Sequence, residues 1–466
     1  MNLHKLRGGL TAFAPAPPQA SGLALAFTLA LALLLALPAH AQRCVDEDTP
    51  DAALASTAGT SAVPAADANA PRLTLQSMVQ EAIRRSNAVG AAKLLAEAAA
   101  SELEEARAAR LIQASVSATV GYASASAKNV EPASGGQAQM SINIGAPLYD
   151  SGRIASLSGW RASLSEAARL GQMTAQDQVA FQTVSLALER NRYRQQARVY
   201  QQFARKMACL VEVLDQIVKA DRGRSSELVQ ARKSLAQAEL AQSQSVSQVR
   251  QAETRLKRFI GDGMPSSEGM TALLLDVPPL VEMEAQAIRS NDITQLDAQA
   301  KALDSYSRAV AAGQKPQLNW VLTGSKAGGG NNPGTLLAGI SFNMPLINQG
   351  ADHGIAAANK RAAAAHLQRA DALEARKTRI AEVHEQAASA FDRARQTGAI
   401  LRDTNQVRYA TLQQWQQLAR RSLFDVMSAE SEHYNLRVAY INALHDGQQA
   451  SALLRSLGLG ISAWLE

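Results

Sequence analysis

Residues able to do covalent chemistry are few and scattered. The chain holds seven histidines and two cysteines among its 466 residues. It contains no His-Glu-x-x-His pair and no Walker phosphate loop, so any nucleotide use would belong to a partner. His40 falls in a leader segment, while His353, His366, His384, His433 and His445 fall in helical runs with no ligand spacing to a carboxylate face. They are expected to be solvated or structural, with no metal, no cofactor and no catalytic residue. Cys44 and Cys209 are too few for a disulfide framework or a metal site. What remains is electrostatic. Two short stretches, ADRGRSSELVQA (Ala220–Ala231) and ARRSLFDVMSA (Ala419–Ala429), gather Arg222, Arg224 and Glu227, and Arg420, Arg421 and Asp425. Such groups attract or repel ions and form ion pairs.

Each charged stretch interrupts a long helical pattern. Apolar residues at three- and four-residue spacing fill Ser156–Val218 and Ile355–Leu418, and the chain returns as a second helix over about 225–259 and 422–457. Roughly 70 helical residues at ~1.5 Å each reach about 105 Å, several times an ordinary domain. Gly223 marks the first hairpin turn and permits it; Arg420, Arg421 and Ser422 mark the second.

Ahead of each long helix the period changes from helical to two. In Gln137–Ala146, Ala138, Met140, Ile142 and Ile144 share one face, and Gln137, Gln139, Ser141 and Asn143 the other. Val116, Ala118, Val120 and Tyr122 alternate likewise within Ser115–Ser126, across a loop expected at 128–136. Leu318, Trp320 and Leu322, then Leu336, Ala338, Ile340, Phe342 and Met344, repeat the arrangement around the loop GGGNNPG. Pro147 and Pro345 are each expected to end a strand, since proline has no N–H to give the ladder and is tolerated in a helix's first turn. Asp150 or Ser151 can then cap the first long helix. Pro147 and Pro345, Gly152 and Gly350, and Glu227 and Asp425 stand at one constant separation, so the halves are an internal duplication. The first half opens on a helix over 75–86 with Thr74 as N-cap, then a second over 88–111.

Composition agrees with packed helices rather than a conventional globular core. Hydrophobic residues make up 47% and aromatics only 4%, with alanine-rich runs such as KRAAAAHLQRA (Lys360–Ala370). The net charge of +6 is spread along helices and interleaved with Glu and Gln, without a basic patch of interleaved aromatics, so nucleic acid is not the expected partner. Lys5 and Arg7 precede the apolar run Leu23–Leu37, and Ala39-His40-Ala41 offers small residues for cleavage after Ala41. An uncleaved anchor is the alternative. Cys44 follows Ala41-Gln42-Arg43, a poor lipoprotein signal, so an unpaired cysteine is expected there. No later apolar run is long enough to span a bilayer as a helix, so any later membrane span must be β.

Four strands with an apolar face can neither close a barrel nor remain open in lipid, where edge groups would go unpaired. Three chains would supply twelve. With the two Pro-Leu-x-x-x-Gly turns (Pro147–Gly152, Pro345–Gly350), the paired tip stretches and the duplication, the chain from Leu73 to about Gly460 resembles the TolC family of trimeric outer-membrane channels. The resemblance implies an α+β membrane protein, with four strands per chain completing a trimeric twelve-stranded β-barrel continued by a long periplasmic α-helical barrel. It also implies an equatorial region built from the first helices, their repeat partners and the C-terminal end. The expected divisions are a signal peptide (1–41), a flexible mature N-terminus (42–72), a first repeat (73–277) and a second (278–466).

By the same resemblance, Asp425 matches the first acidic position of a pore constriction, and Ser428 stands where a second acid belongs, which weakens the ring. Arg421 and Glu227 match an ion-pair latch between hairpins, and the family tyrosine of that latch is replaced by Gln416. Arg222, Gly223, Arg224, Arg420 and Ser422 are the implied adaptor-docking tips. The tip sequences look like the type I secretion branch, whose channels work with an inner-membrane ABC exporter and a periplasmic adaptor (membrane fusion protein), in several cases for large repeat-rich adhesins. Multidrug or metal efflux is the alternative within transport. A periplasmic coiled-coil adaptor is the alternative from another class, and the amphipathic strands argue against it.

Overall fold

A computed structural model describes residues 70–127, 130–328, 334–418 and 422–466. The expected signal peptide, Cys44, and Arg420 and Arg421 lie outside the described residues, as do the side chains of 123–134 and 416–418, Gln416 among them.

Nine α-helices and four strands follow in the described residues. Helices α1 (Ala70–Arg85) and α2 (Asn87–Ala108) lead to strands β1 (Gln113–Ala127) and β2 (Val130–Tyr149). Helix α3 (Arg153–Ala220), a 3-10 turn at Arg222–Arg224 and α4 (Ser225–Ile260) form the first hairpin. The second half repeats the plan with α5 (Leu280–Ala287), α6 (Asn291–Ala312), β3 (Gln317–Gly328), β4 (Thr335–Asn343), α7 (Ala351–Leu418) and α8 (Leu423–Leu457), closed by α9 (Ile461–Leu465).

Helices α3 and α7 have 68 residues each, about 100 Å of rod. Each is flanked by different partners along its length. Near the sheet, α2 packs on α3 and α6 lies between α3 and α7; toward the tips, α4 packs on α3 and α8 lies between α3 and α7. Buried positions on α7, including Ile380, Val383, Ala387, Ala390 and Ala394, keep the three- and four-residue spacing that turns one stripe inward. No helix among the described residues is long and apolar enough to cross a membrane.

The two largest hydrophobic clusters lie at the equator and near the tips. An equatorial core joins Leu75, Met78 and Val79 of α1 to Val179, Val184 and Leu188 of α3, Leu256 of α4, and Ile461 and Leu465 of α9. A tip core joins Val199, Met207, Leu210 and Leu214 of α3 to Leu228 of α4, Leu412 of α7, and Leu423, Val426 and Tyr434 of α8.

The strands form one antiparallel sheet in the order β1-β2-β3-β4. Register places Val116 opposite Ile142, and Ala146, Trp320 and Ile340 in one cross-strand row, so the apolar residues of all four strands share a face. On the other face the Ser117 and Ser141 hydroxyls meet at 2.7 Å, as do those of Ser325 and Thr335. Val120, Tyr122, Leu336, Ile340 and Phe342 are more than half exposed in the single chain.

Several local expectations are corrected. Thr74 is inside α1, its hydroxyl donating to the Ala70 carbonyl at 2.9 Å, and Ser86 caps α2 instead. The loop expected at 128–136 is shorter, since β2 begins at Val130. Pro147 does not end β2: it pairs with Asn319, and the ladder ends after a bulge between Pro147 and Tyr149. Cys209 on α3 is disulfide-bonded and so is not a free thiol.

Candidate functional site at the helical tips and strand-to-helix junctions

At the first tip, Asp221 leaves the helical conformation and its carboxylate accepts the Gly223 amide at 2.9 Å. Arg222 and Gly223 are exposed, and the Arg224 guanidinium lies 4.0 Å from Asp221. Glu227, in the first turn of α4, has a buried Oε2 with no hydrogen-bond partner among the described residues. An ion pair with Arg421 would involve a residue outside that set.

At the second tip, Ser422 caps α8. Its hydroxyl oxygen accepts the Phe424 amide at 3.0 Å, and the Asp425 carboxylate accepts the Ser422 amide at 3.3 Å, a capping box. Asp425, Ser428 and Phe424 are exposed. Asp425 therefore both closes a helix end and presents charge at the tip.

The residues that sequence reasoning missed sit just inside the tips. Glu430 is fully buried, with Arg408 Nη1 3.3 Å from its Oε2 and Lys206 Nζ 3.9 Å from its Oε1. Both cations are themselves buried. A signal did exist: Glu430 stands on the apolar phase of α8, between Val426 and Tyr434, where a solvated charge has no place.

At the opposite end, each strand-to-helix junction has a side-chain oxygen that accepts the amide two residues on. The Asp150 carboxylate accepts the amides of Gly152 at 3.1 Å and Ile154 at 2.5 Å; the Asn348 side chain accepts that of Gly350 at 3.2 Å. Asp150 is thus the acceptor at the helix start, while the Ser151 hydroxyl donates to the Pro316 carbonyl at 2.8 Å. Gly152 adopts φ +82°, the left-handed region, directly before α3. Pro345 stands two residues beyond the end of β4. Between the sheet and the first turns of α3 lies an open concavity of about 850 Å³, lined by polar groups of Ser115, Asn143, Asn319 and Thr323 and by Asp150, Arg153 and Arg161.

Two carboxyls between these ends are shifted. Burial pushes the Asp177 carboxyl above its ordinary range, against a hydrogen bond from Asn291. The His445 ring, its Nδ1 3.7 Å from the Asp446 carboxylate, with Arg192 nearby, holds Asp446 below it. Two histidines have side-chain partners: His366 Nε2 lies 2.9 Å from Asp304 Oδ2, and His433 is buried edge-on to Tyr434. Among the described residues no group of His, Cys, Asp and Glu is placed to hold a metal ion.

No family model matches the sequence, and no curated protein matches it. Solved structures do match. One is CusC, from work on conformational changes accompanying folding and transmembrane channel formation: TM-score 0.72, 14% identity, 83% of this chain and 92% of that one. The outer membrane protein VceC of Vibrio cholerae gives TM-score 0.70 at 17% identity, over 84% of this chain and 97% of that one. The open state of the Neisseria gonorrhoeae MtrE outer membrane channel gives 0.67 at 15% identity, over 83% and 89%. The chain has the TolC-type channel fold. Within that fold the four-stranded sheet is one end of the molecule and the hairpin tips are the other. Identity this low with shape this similar fits a structure specified by period and length rather than by particular side chains.

Proposed function

We propose that the protein is a passive homotrimeric exit duct of the outer membrane of a Gram-negative bacterium, with a long periplasmic portion. The observation that carries this reading is the sheet. It has an exposed apolar face and two unpaired edges, β1 and β4, in one chain. Three copies joined edge to edge would pair every edge and turn the apolar face to lipid, leaving the serine- and asparagine-bearing face inside. The 68-residue helices leave the sheet without a break long enough to form a separate domain, so the tube would continue through the periplasm. A periplasmic adaptor has no use for such a sheet. A duct needs no covalent chemistry, and channels are what the matched structures are.

Within this reading we assign the type I secretion branch, with an inner-membrane ABC exporter and a periplasmic adaptor docking at Arg222–Arg224 and Ser422. The charged tip sequences support it. The surface and secreted proteome of a strain lacking the gene tests the branch. Loss of one very large exported protein is expected; an unchanged proteome with raised drug or metal susceptibility would establish efflux instead. Conductance of the purified protein in planar bilayers tests the duct itself.

A further inference from the structure

Cys209, in the tip half of α3, is disulfide-bonded. The sequence holds one other cysteine, Cys44, so within one chain only Cys44 can supply the second sulfur. A bond from Cys209 to Cys209 of another copy would pair two subunits of a trimer and leave the third thiol over.

The surface leading to Cys209 carries a second signal. Arg194, Arg198, Gln202, Arg205 and Cys209 follow one another at four-, four-, three- and four-residue steps, which at about 100° per residue keeps them within ~80° on one side of α3. Each is exposed or half-buried, whereas Val199, Phe203, Met207 and Leu210 turn the other side into the tip core. From Asn191 to Val211 the helix has five bases and no acid.

The segment that follows Cys44 has the opposite charge. Five acids and no base stand between Cys44 and Pro71, four of them at Asp46, Glu47, Asp48 and Asp51. Extended, the chain from Cys44 to Asp51 spans about 23 Å, and α3 from Cys209 back to Arg194 spans about 22 Å. The two charged runs therefore match in length. The chain also enters the described residues beside the far end of the stripe. The Pro71 ring packs against Gly269, and Gly269 lines a cavity of about 190 Å³ together with Arg194, Arg198 and Thr271. One exposed acid, Glu268, stands at its rim.

We propose that Cys44 and Cys209 are joined, and that the acidic segment between Cys44 and Pro71 is a strap lying along the basic stripe of α3, from the tip half of the helix back to the equator. Forming the bond removes two protons and two electrons from the two thiols. The electrons pass to an exported thiol oxidant in its disulfide form, which becomes the dithiol. A sulfur held in a disulfide cannot also carry a thioether-linked lipid, so Cys44 is neither unpaired nor a lipid anchor. The oxidising compartment rests on the outer-membrane reading; the pairing is tested without it.

Peptide mapping of the full-length protein, purified without reductant and with free thiols blocked, tests the bond. Trypsin should release Cys44–Arg72 and Met207–Lys219 as one linked species that reductant separates. Blocked thiols at both positions, a Cys209–Cys209 species, or an acyl chain on Cys44 would each overturn the pairing, and the last would leave the duct reading standing. Elastase, which cuts beside small residues such as those of 52–66, tests the strap on the unreduced protein. Arg198→Glu with Arg205→Glu should speed cutting in that segment about tenfold, and raised salt should speed it in the parent. Where the double variant does not fold, the salt series on the parent decides. A rate indifferent to both would overturn the strap and leave the bond.

Discussion

The Asp425 carboxylate accepts the backbone amide of Ser422 at 3.3 Å, so the acid that stands at the second tip also closes the end of its own helix. The two roles separate by substitution. Asp425→Asn keeps an oxygen acceptor for the cap and removes the charge; Asp425→Ala removes both. In planar bilayers both variants should weaken block by a trivalent cation, since three copies of one carboxylate around an axis focus negative potential. Only Asp425→Ala should also lose stability, by about 1 kcal/mol. Ser428→Asp should strengthen the block. Equal block in parent and Asp425→Asn would remove Asp425 from the constriction.

Glu227 has a buried carboxylate oxygen without a hydrogen-bond partner among the described residues, one turn into α4. We propose Arg421 as its partner, as the resemblance implies. A single ion pair at a tip is worth about 0–1 kcal/mol, but three copies bias one equilibrium together. Arg421→Ser and Glu227→Gln should each raise single-channel conductance and susceptibility to large antibiotics, and the double variant should add little to either. Additive effects would show that the two side chains act apart.

The two strand-to-helix turns look equivalent in sequence but differ in backbone. Gly152 has φ +82° and open space where a Cβ would stand, whereas no left-handed φ occurs at Gly350. Gly152→Ala therefore pays for conformation alone, about 1–2 kcal/mol, and Gly350→Ala should be close to neutral. Thermal unfolding of the two single variants checks this. Equal losses would mean that the turns share a conformation in the assembled protein.

Period carried most of the fold. Alternation in Gln137–Ala146 and around Trp320 located the sheet, and the three- and four-residue spacing located both long helices, because these patterns follow from which face is buried. Local chemistry was less legible. Pro147 was read as a stop, yet a strand can carry a proline next to a bulge, and only the register with Asn319 reveals it. Thr74 has a cap's residue type but lies inside α1, where its hydroxyl turns back on the Ala70 carbonyl. The Lys206–Glu430–Arg408 cluster was invisible because its members come from three helices far apart in sequence. One clue is in the sequence: a glutamate on an apolar phase needs buried partners, even when the sequence does not say which.

Asp177 supplies the pH dependence. It is half-buried on α3, accepts Asn291 Nδ2 at 2.9 Å, and has the like-charged Asp292 nearby. Burial raises its pKa above the unfolded value of about 3.9. The sign follows from which state binds the proton more tightly. The folded protein does, so the contribution to stability is complete below about pH 4 and is lost as pH rises through the native pKa. At neutral pH the ionised carboxylate is a cost. Asp177→Asn keeps a carbonyl to accept the Asn291 amide and removes that cost. Its melting temperature should equal or exceed the parent's at neutral pH, and the advantage should shrink on acidification toward about pH 4. A difference between variant and parent that stays constant across that range would mean that Asp177 titrates alike in the folded and unfolded chains, and that its burial is relieved by water in the assembled protein.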